Sequence, residues 1–275
     1  MQSTLSFEVA EIAHPPLRAV VLGSGSGGNA VVVESGSFRL LIDAGFSCRE
    51  LERRMRAVGV EPDTIQALLL THEHEDHVRG ADRFARKHQL PVFLTAGTRI
   101  GTALGDEVAA RVTRIESGRP FEVGPFGVEA FDIPHDAREP VGFVLEDAAG
   151  RRLGLVADIG CRTQLAWGRL TELDLLLLET NHDLEMLRNG PYPWPLKQRV
   201  ASRHGHLSNR EAADGLPELL CDRLRAVVLY HLSRTNNLPA IAAAEIAETL
   251  VRERSAAEVV LSGQFEPTAW LEVAI

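Results

Sequence analysis

The chain has 275 residues, of which 45% are hydrophobic and 24% are charged, a composition that fits a soluble globular protein with a sizeable core. Its formal net charge of −9 argues against binding nucleic acid through a broad basic surface. There is no run of about 18 apolar residues and no secretory signal pattern at the start, which predicts a cytoplasmic protein without a membrane span. The three cysteines, Cys48, Cys161 and Cys221, lack CxxC spacing, which favours a reducing compartment and argues against a thiolate zinc site.

Short apolar runs bounded by Gly, Asp or Pro predict strands along the chain. In chain order they are Ala19–Leu22, Ala30–Glu34, Phe38–Ile42, Ala67–Leu70, Pro91–Leu94, Val128–Ile133, Val141–Glu146, Arg152–Ala157, Asp174–Leu178, Ala226–Leu229, Glu258–Leu261 and Trp270–Ala274. Helical patterns lie between them, at Arg49–Val58, Val78–His88, Thr163–Leu170, Asn209–Leu220 and Pro239–Arg252. Turn patterns at residues 34–37 and 147–150 predict hairpins. Hairpins mixed with strand-helix alternation predict an α/β protein with mixed sheets.

Two segments of the chain resemble each other. Leu40–Arg49 is similar to Gly154–Arg162, and each is followed by a helical pattern and then by an apolar strand that ends in polar residues. This predicts one domain over residues 1–275, built from two pseudo-repeated halves at roughly 1–125 and 126–275. A match this short also occurs between unrelated α/β units, so the repeat is one of two explanations.

The segment Thr71–His77 reads THEHEDH and directly follows the predicted strand Ala67–Leu70. On an extended segment, His72 and His74 project to the same side and are able to hold one metal ion. Asp76 and His77 follow where the chain turns into a helix, and from there they face a second ion. The alternative is a histidine-rich surface loop. The position at a strand end favours a site, because α/β sheets place their sites there.

Three later residues complete this pattern of metal-ligand types. His135, Asp158 and His231 each come just after a predicted strand. Taken alone, each is as well explained as a helix cap or a turn former. Their order after the THEHEDH segment favours ligands that come from several strand ends.

In this order the motifs resemble the metallo-β-lactamase superfamily, and most closely its YycJ/WalJ branch of bacterial nucleases. The matching stretches are GSGSGGNAVVVESG, LLIDAG, THEHEDHVRG, PHDAREPVGF, ADIG, ETNHDLEMLRNGPYPWPLKQRVASRHGHLSN and HLSRTNN. THEHEDH by itself indicates only the superfamily, whereas the segment from Glu179 to Asn209 makes the branch specific. The resemblance implies a four-layer αββα sandwich with two mixed β-sheets.

The resemblance also implies a ligand set for two divalent ions. The first ion is expected on His72, His74 and His135; the second on Asp76, His77 and His231; and Asp158 is expected to bridge them. Asp43 matches an acid that orients a ligand histidine by accepting its other N–H. Because all these ligands are nitrogen or oxygen, both Zn²⁺ and Mn²⁺ are suitable.

Such a site favours hydrolysis. Two ions about 3.5–4 Å apart hold a hydroxide between them as the nucleophile, and they neutralise negative charge on the attacked group. With Asp76 and Asp158 as the anionic ligands, the loaded site keeps a net positive charge. It therefore attracts an anionic phosphodiester even though the protein as a whole is acidic.

A basic segment supplies candidate contacts with substrate. Trp194–Arg210 contains Lys197, Arg199, Arg203 and Arg210 and no acidic residue, which predicts phosphate binding without base reading. The alternative is a solvated basic loop. Within it, His206 is preferred over His204 as the group that protonates the leaving oxygen, although a plain loop histidine remains the alternative.

Four further residues are predicted near the site. His182 follows the strand Asp174–Leu178 and is expected to be an outer-shell or substrate residue. Ser24 and Asn29 belong to a glycine-rich segment at residues 23–28, which is followed by a strand and therefore does not fit a dinucleotide motif. These two residues and Asn236 are predicted to contact substrate.

Together these observations predict a two-metal phosphodiesterase, and the resemblance makes it a DNA exonuclease that works from a 5′ end. DNA preference and polarity rest on the resemblance alone. A ribonuclease, or a cyclic phosphodiesterase, lactonase or thioesterase of the same fold, is the alternative among enzymes. A metal-stabilised regulatory protein without catalysis is the alternative of another class, and an open ligand set argues against it, because structural zinc sites close their coordination shell.

Overall fold

Two seven-stranded sheets face each other across an apolar interior in the computed structural model, which describes residues 15–273. The strands are β1 Leu17–Gly23, β2 Ala30–Ser35, β3 Phe38–Ile42, β4 Ala67–Leu69, β5 Val92–Leu94, β6 Val112–Arg114, β7 Phe121–Val123, β8 Phe126–Asp132, β9 Val141–Glu146, β10 Arg152–Val156, β11 Leu175–Glu179, β12 Ala226–Tyr230, β13 Glu258–Leu261 and β14 Leu271–Val273. The first sheet has the order β14-β1-β2-β3-β4-β5-β6, and the second has the order β13-β12-β11-β10-β9-β8-β7.

Both sheets are mixed in the same way. In the first sheet, β14, β1, β2 and β3 pair antiparallel, and β3, β4, β5 and β6 pair parallel. In the second sheet, β7 to β10 pair antiparallel, and β10 to β13 pair parallel. The sheets divide between Arg114 and Phe121, whereas the predicted division near residue 125 falls inside the β7–β8 hairpin. The last strand, β14, returns to the first sheet.

Helices cover the outer face of each sheet. They are α1 Cys48–Ala57, α2 Glu75–Val78, α3 Ala81–Lys87, α4 Ala96–Gly101, α5 Asp106–Ala109, α6 Gln164–Arg169, α7 Leu184–Asn189, α8 Trp194–Val200, α9 Asn209–Gly215 and α10 Pro239–Arg252. One outer cluster packs α1 and α3 on the first sheet, and another packs α6, α9 and α10 on the second. Because both faces of the central strands are buried, these strands are apolar at nearly every position. The predicted four-layer αββα sandwich is confirmed.

The predicted elements agree with the structure where the apolar pattern is strong. Each predicted strand overlaps an observed one, although residue 274 of the last predicted strand lies outside the described residues. Two strands were missed, Val112–Arg114 and Phe121–Val123, because each has three residues and is partly exposed. The short helices α4, α5, α7 and α8 were also missed, since elements of four to seven residues give little periodicity.

Two predicted helices have different bounds from those expected. The helix predicted at Val78–His88 is two helices, α2 and α3, with a break at Gly80, where a Cβ would lie 2.2 Å from the Phe46 carbonyl oxygen. The helix predicted at Asn209–Leu220 is α9 followed by a 3₁₀ turn at Leu216–Leu219, because Pro217 has no N–H to continue the α-helical pattern. Ser208 forms the capping box with Glu211 that starts α9.

The carboxyl ends of the parallel strands open on one edge of the sandwich. Three residues there, Asp43, Asp158 and His231, have φ values of 60°, 55° and 57°. This left-handed conformation is uncommon for residues other than glycine and concentrates where function requires it. Among residues 15–273, no helix is both long enough and apolar enough to cross a bilayer.

Candidate metal centre

Seven residues that the sequence singled out as ligands converge at this edge. Ligand atoms of His72, His74 and His135 lie within 4.8 Å of one another, and so do those of Asp76, His77 and His231. Asp158 joins His72 and His77 in a third group of the same size, so that it lies between the other two. The residues come from the ends of β4, β8, β10 and β12, and no two adjacent strands alone supply a complete group.

The first group consists of imidazoles. Nδ1 of His74 lies 3.2 Å from Nε2 of His135, and the rings of His72 and His135 have centroids 5.0 Å apart. Nε2 of His72 is buried and has no hydrogen-bond partner among the described residues. Burial lowers the pKa of His72 well below its usual value, and it also lowers the pKa of His135. Neutral imidazoles with unused lone pairs are what a divalent cation requires of its ligands.

The second group has one carboxylate of its own, Asp76, and two more, Asp158 and Asp43, lie against its histidines. Nε2 of His77 lies 2.9 Å from Oδ2 of Asp158, and Nε2 of His231 lies 3.4 Å from Oδ2 of Asp76. Burial by itself lowers the pKa of His77, but the carboxylates of Asp43, Asp158 and Asp76 outweigh burial and raise that pKa well above its usual value. In the same way, burial is outweighed at His231, whose pKa is raised to about 10, chiefly by Asp158. The pocket thus attracts positive charge, and its nitrogen and oxygen donors fit divalent metal.

Asp43 occupies the place predicted for an orienting acid. Its Oδ2 lies 2.7 Å from Nδ1 of His77, and its Oδ1 accepts from the backbone N–H of Thr71 at 2.9 Å. The side chain is 1% exposed. The contact of Asp43 with Nδ1 fixes the His77 ring so that Nε2 faces the cluster. Carboxylates commonly orient metal-binding histidines in this way.

Glu179 is a site residue that the sequence reasoning missed. One of its oxygens, Oε1, lies 2.9 Å from Nδ1 of His206 and 3.1 Å from Nδ1 of His231. Its other oxygen accepts from the backbone N–H groups of Ile159 and Leu207. The residue is fully buried. The available signal was an acidic residue in the last position of a buried apolar strand, on the edge where the other ligands lie.

Ser24 and Asn29 lie behind the cluster and not on an open surface. The Ser24 hydroxyl accepts from the backbone N–H of His231 at 2.7 Å, and Asn29 Nδ2 lies 3.0 Å from Nε2 of His77. Both residues are buried. These contacts fit a positioning role better than the predicted substrate contact.

His182 is also buried, and its ring nitrogens have no hydrogen-bond partner among the described residues. Burial lowers its pKa. It belongs to none of the ligand groups, and its backbone pairs with Ser208 at the start of α9. The structure therefore places it beside the site and not among the ligands.

A pocket of about 200 Å³ opens next to the second group. Its lining includes His206, His231, Asn236, Arg199 and Tyr192. Arg199 Nε donates to Asp136 Oδ2 at 2.5 Å, which places the guanidinium beside the residue that follows His135. The pocket is therefore walled by the ligand cluster on one side and by α8 on the other.

The other predicted basic contacts lie outside this pocket. Lys197 donates to the backbone oxygen of Arg188 at the end of α7, at 2.8 Å. Arg203 is exposed, and Arg210 pairs with Asp214 along α9. Of the basic residues predicted to contact phosphate, Arg199 is thus the one that lines the pocket.

Comparisons with known proteins agree with this geometry. A model of the Beta-lactamase superfamily domain matches residues 38–232. Exodeoxyribonuclease YycJ of Bacillus anthracis is 33% identical over 232 residues, which cover 84% of this chain and 88% of that protein. Exodeoxyribonuclease WalJ of Streptococcus pneumoniae is 33% identical over 81% of this chain and 84% of its own length. The crystal structure of YhfI from Bacillus subtilis, a metallo-β-lactamase fold protein, matches with a TM-score of 0.71 at 19% identity over 94% of this chain and 100% of that chain, which supports the fold alone.

Proposed function

The chain belongs to the β-lactamase superfamily, in its YycJ/WalJ-like branch, and we propose that it is a two-metal exonuclease that degrades DNA from the 5′ end. Membership makes it a metal-dependent hydrolase. Substrate, polarity and metal number are our proposal. The observation that carries it is the convergence of seven nitrogen and oxygen ligands beside a pocket that Arg199 lines. We place the enzyme in the cytoplasm, because three free thiols suit a reducing compartment.

The ligands divide into two binding positions. His72, His74 and His135 would hold one ion, and Asp76, His77 and His231 would hold the other, with Asp158 shared between them. Zn²⁺ and Mn²⁺ both suit these donors. Divalent ions held there supply Lewis acidity, which lowers the pKa of a coordinated water and neutralises charge on the phosphate under attack.

The protein's own residues supply the proton for the leaving group. His206 donates from Nδ1 to the Glu179 carboxylate, so its other ring nitrogen is available in the pocket. Burial lowers the pKa of His206, but the carboxylates of Glu179 and Asp158 outweigh burial and raise it. A protonated Nε2 is able to donate to the oxygen that leaves when the phosphodiester bond breaks.

Arg199 and Asn236 position the substrate. The Arg199 guanidinium supplies the positive charge that the protein as a whole lacks, and phosphate oxygens would compete with Asp136 for it. Asn236 is buried, and its amide atoms have no hydrogen-bond partner among the described residues. An unpaired buried amide is costly, and a phosphate or sugar hydroxyl in the pocket would satisfy it.

The test uses the metal-loaded protein, with added Mn²⁺, on duplex DNA labelled at its 5′ end, and on RNA of the same sequence in parallel. We expect labelled mononucleotides from DNA at early times. His74→Ala should lower this rate by more than about 100-fold, since loss of a ligand exceeds the effect of losing an outer partner. His204→Ala is the matched control. Because His204 is exposed, this variant should cleave DNA at the rate of the wild type.

The same assay separates the alternatives. If RNA is cleaved and DNA stays intact, the enzyme is a ribonuclease and the proposed DNA substrate is wrong. Hydrolysis of simple esters with both nucleic acids intact would replace it by a small-molecule hydrolase. Metal content measured on each variant shows whether a lost rate reflects lost metal.

A further inference from the structure

An exposed aromatic residue lies under an arginine near the end of the described chain. The guanidinium carbon of Arg234 is 4.8 Å from the ring centroid of Phe265, and Phe265 is 65% exposed. Both residues lie beyond residue 232, where the match to the family model ends. Arg234 belongs to the stretch HLSRTNN that begins with the candidate ligand His231, but neither Arg234 nor Phe265 is itself one of the candidate ligands.

Each residue of this pair directly follows a residue that is anchored beside the pocket. Arg234 directly follows Ser233, which lines the pocket, and the Ser233 backbone N–H donates to the Asn181 oxygen at 2.7 Å. Phe265 directly follows Gln264, whose Oε1 accepts from the Gly27 N–H at 2.6 Å. Gln264 Nε2 donates to the Gly28 oxygen at 3.0 Å.

The glycine-rich segment is shaped around Gln264. A Cβ on Gly27 would lie 2.7 Å from Gln264 Oε1, so a side chain at Gly27 would require Gln264 to move. Ser26, next to Gly27, lines the pocket. The backbone before Phe265 and the loop that carries Ser26 are thus held together, so that Phe265 follows a residue bonded next to the pocket lining.

The local charges select the kind of group that binds here. Arg234 forms no ion pair within residues 15–273, so its charge is available beside the ring. Glu266 is exposed and follows Phe265, and it would repel a phosphate placed directly on the ring. A neutral, flat group is favoured instead, because bases of every type stack on aromatic side chains and a stacked guanidinium strengthens such contacts.

We propose that Phe265, held by Arg234, is a stacking platform for an unpaired nucleobase at the mouth of the pocket. This inference rests on the proposed nuclease function and adds a binding site to it. Strand ends that fray from a duplex, or single strands, would place one unpaired base on this platform. A protein partner is less suited, because both residues next to Phe265 in the chain, Gln264 and Glu266, are polar.

The test uses metal-loaded protein and single-stranded oligonucleotides with non-cleavable phosphorothioate linkages and 2-aminopurine at successive positions. Stacking quenches 2-aminopurine fluorescence. We expect quenching at one position near the strand end, and about tenfold weaker binding for Phe265→Ala, which loses both the stacking and the quenching. Phe265→Trp should retain both, and Phe265→Leu should lose the quenching although it keeps an apolar side chain.

Val251→Ala is the matched control, because Val251 is 79% exposed on α10 and removal of an exposed apolar side chain there should change neither signal. Wild-type cleavage of DNA with equal quenching in Phe265→Ala would overturn the platform and leave the nuclease intact. A change in sedimentation of Phe265→Ala without a change in quenching would also overturn it, in favour of a protein contact. Absence of nucleic acid cleavage by the wild type would overturn the proposed function itself.

Discussion

The two sheets share one strand arrangement but distribute their site residues differently. In the first sheet, the ligands His72, His74, Asp76 and His77 fall in one stretch of six residues, 72–77, that follows β4. In the second sheet, His135, Asp158 and His231 follow β8, β10 and β12, while Glu179 ends β11 and His206 lies in the loop before α9. The same strand topology therefore supports either a compact ligand motif or ligands dispersed over several strand ends. Only the compact motif is recognisable in a short stretch of sequence.

Asp43 and Asp158 occupy equivalent positions in the two sheets but have different contacts. Each follows the strand at which antiparallel pairing gives way to parallel pairing, and their φ values are 60° and 55°. Asp43 contacts Thr71 and His77, whereas Asp158 lies among rings from both sheets, including His77 and His231. The fold repeats the backbone conformation, and the surroundings assign different roles.

The largest expected effect separates these two aspartates. Asp158→Asn should lower metal binding and catalytic rate by more than about 100-fold, because it removes charge between both groups, while Asp43→Asn should cost about 10–100-fold, as for other outer partners. Metal titration and the nuclease assay measure both. Asp132→Asn, at an exposed aspartate that ends β8, is the control. Equal losses for Asp43 and Asp158 would contradict their different roles.

An intermediate effect is expected at Glu179, which is one of the dispersed site residues of the second sheet. Glu179→Gln should lower the catalytic rate by about 10–100-fold, the range for a lost partner that orients a working side chain, because the amide holds His206 less well. If Glu179 acts through His206, the double variant with His206→Ala should be no slower than His206→Ala alone. A further loss in the double variant would show that Glu179 acts mainly through His231 and the metal.

The smallest expected effect compares a helix cap from each half. Ser208→Ala should lower the free energy of unfolding by about 1–2 kcal/mol, because its buried hydroxyl belongs to a full capping box with Glu211. Ser47→Ala should cost about 0.5–1 kcal/mol, since Ser47 is exposed and accepts only from the Glu50 N–H. Urea denaturation measures the free energy of unfolding of both variants. Equal losses would contradict the expectation that the Ser208 cap contributes more than the Ser47 cap.

Much of the fold was accessible from the sequence because its strands are buried on both faces. Continuous apolar runs such as Val31–Val33 and Leu175–Leu178 are confirmed as strands. The missed strand Val112–Arg114 lies at a sheet edge and is partly exposed, so its residues carry little apolar pattern. The division of the chain into two pseudo-repeated halves stays a prediction, although the sheets pair their strands in matching order.

The sequence by itself determined the compact ligand segment His72–His77, since its spacing within one strand end is a short-range property. It also placed His135, Asp158 and His231 after strands, which made their convergence an expectation. Only the tertiary structure decided which side chains meet across long separations. Glu179 reaches His206 across 27 positions, and Ser24 reaches His231 across 207. Such contacts depend on the register and packing of two sheets, and no local pattern in the chain encodes that geometry.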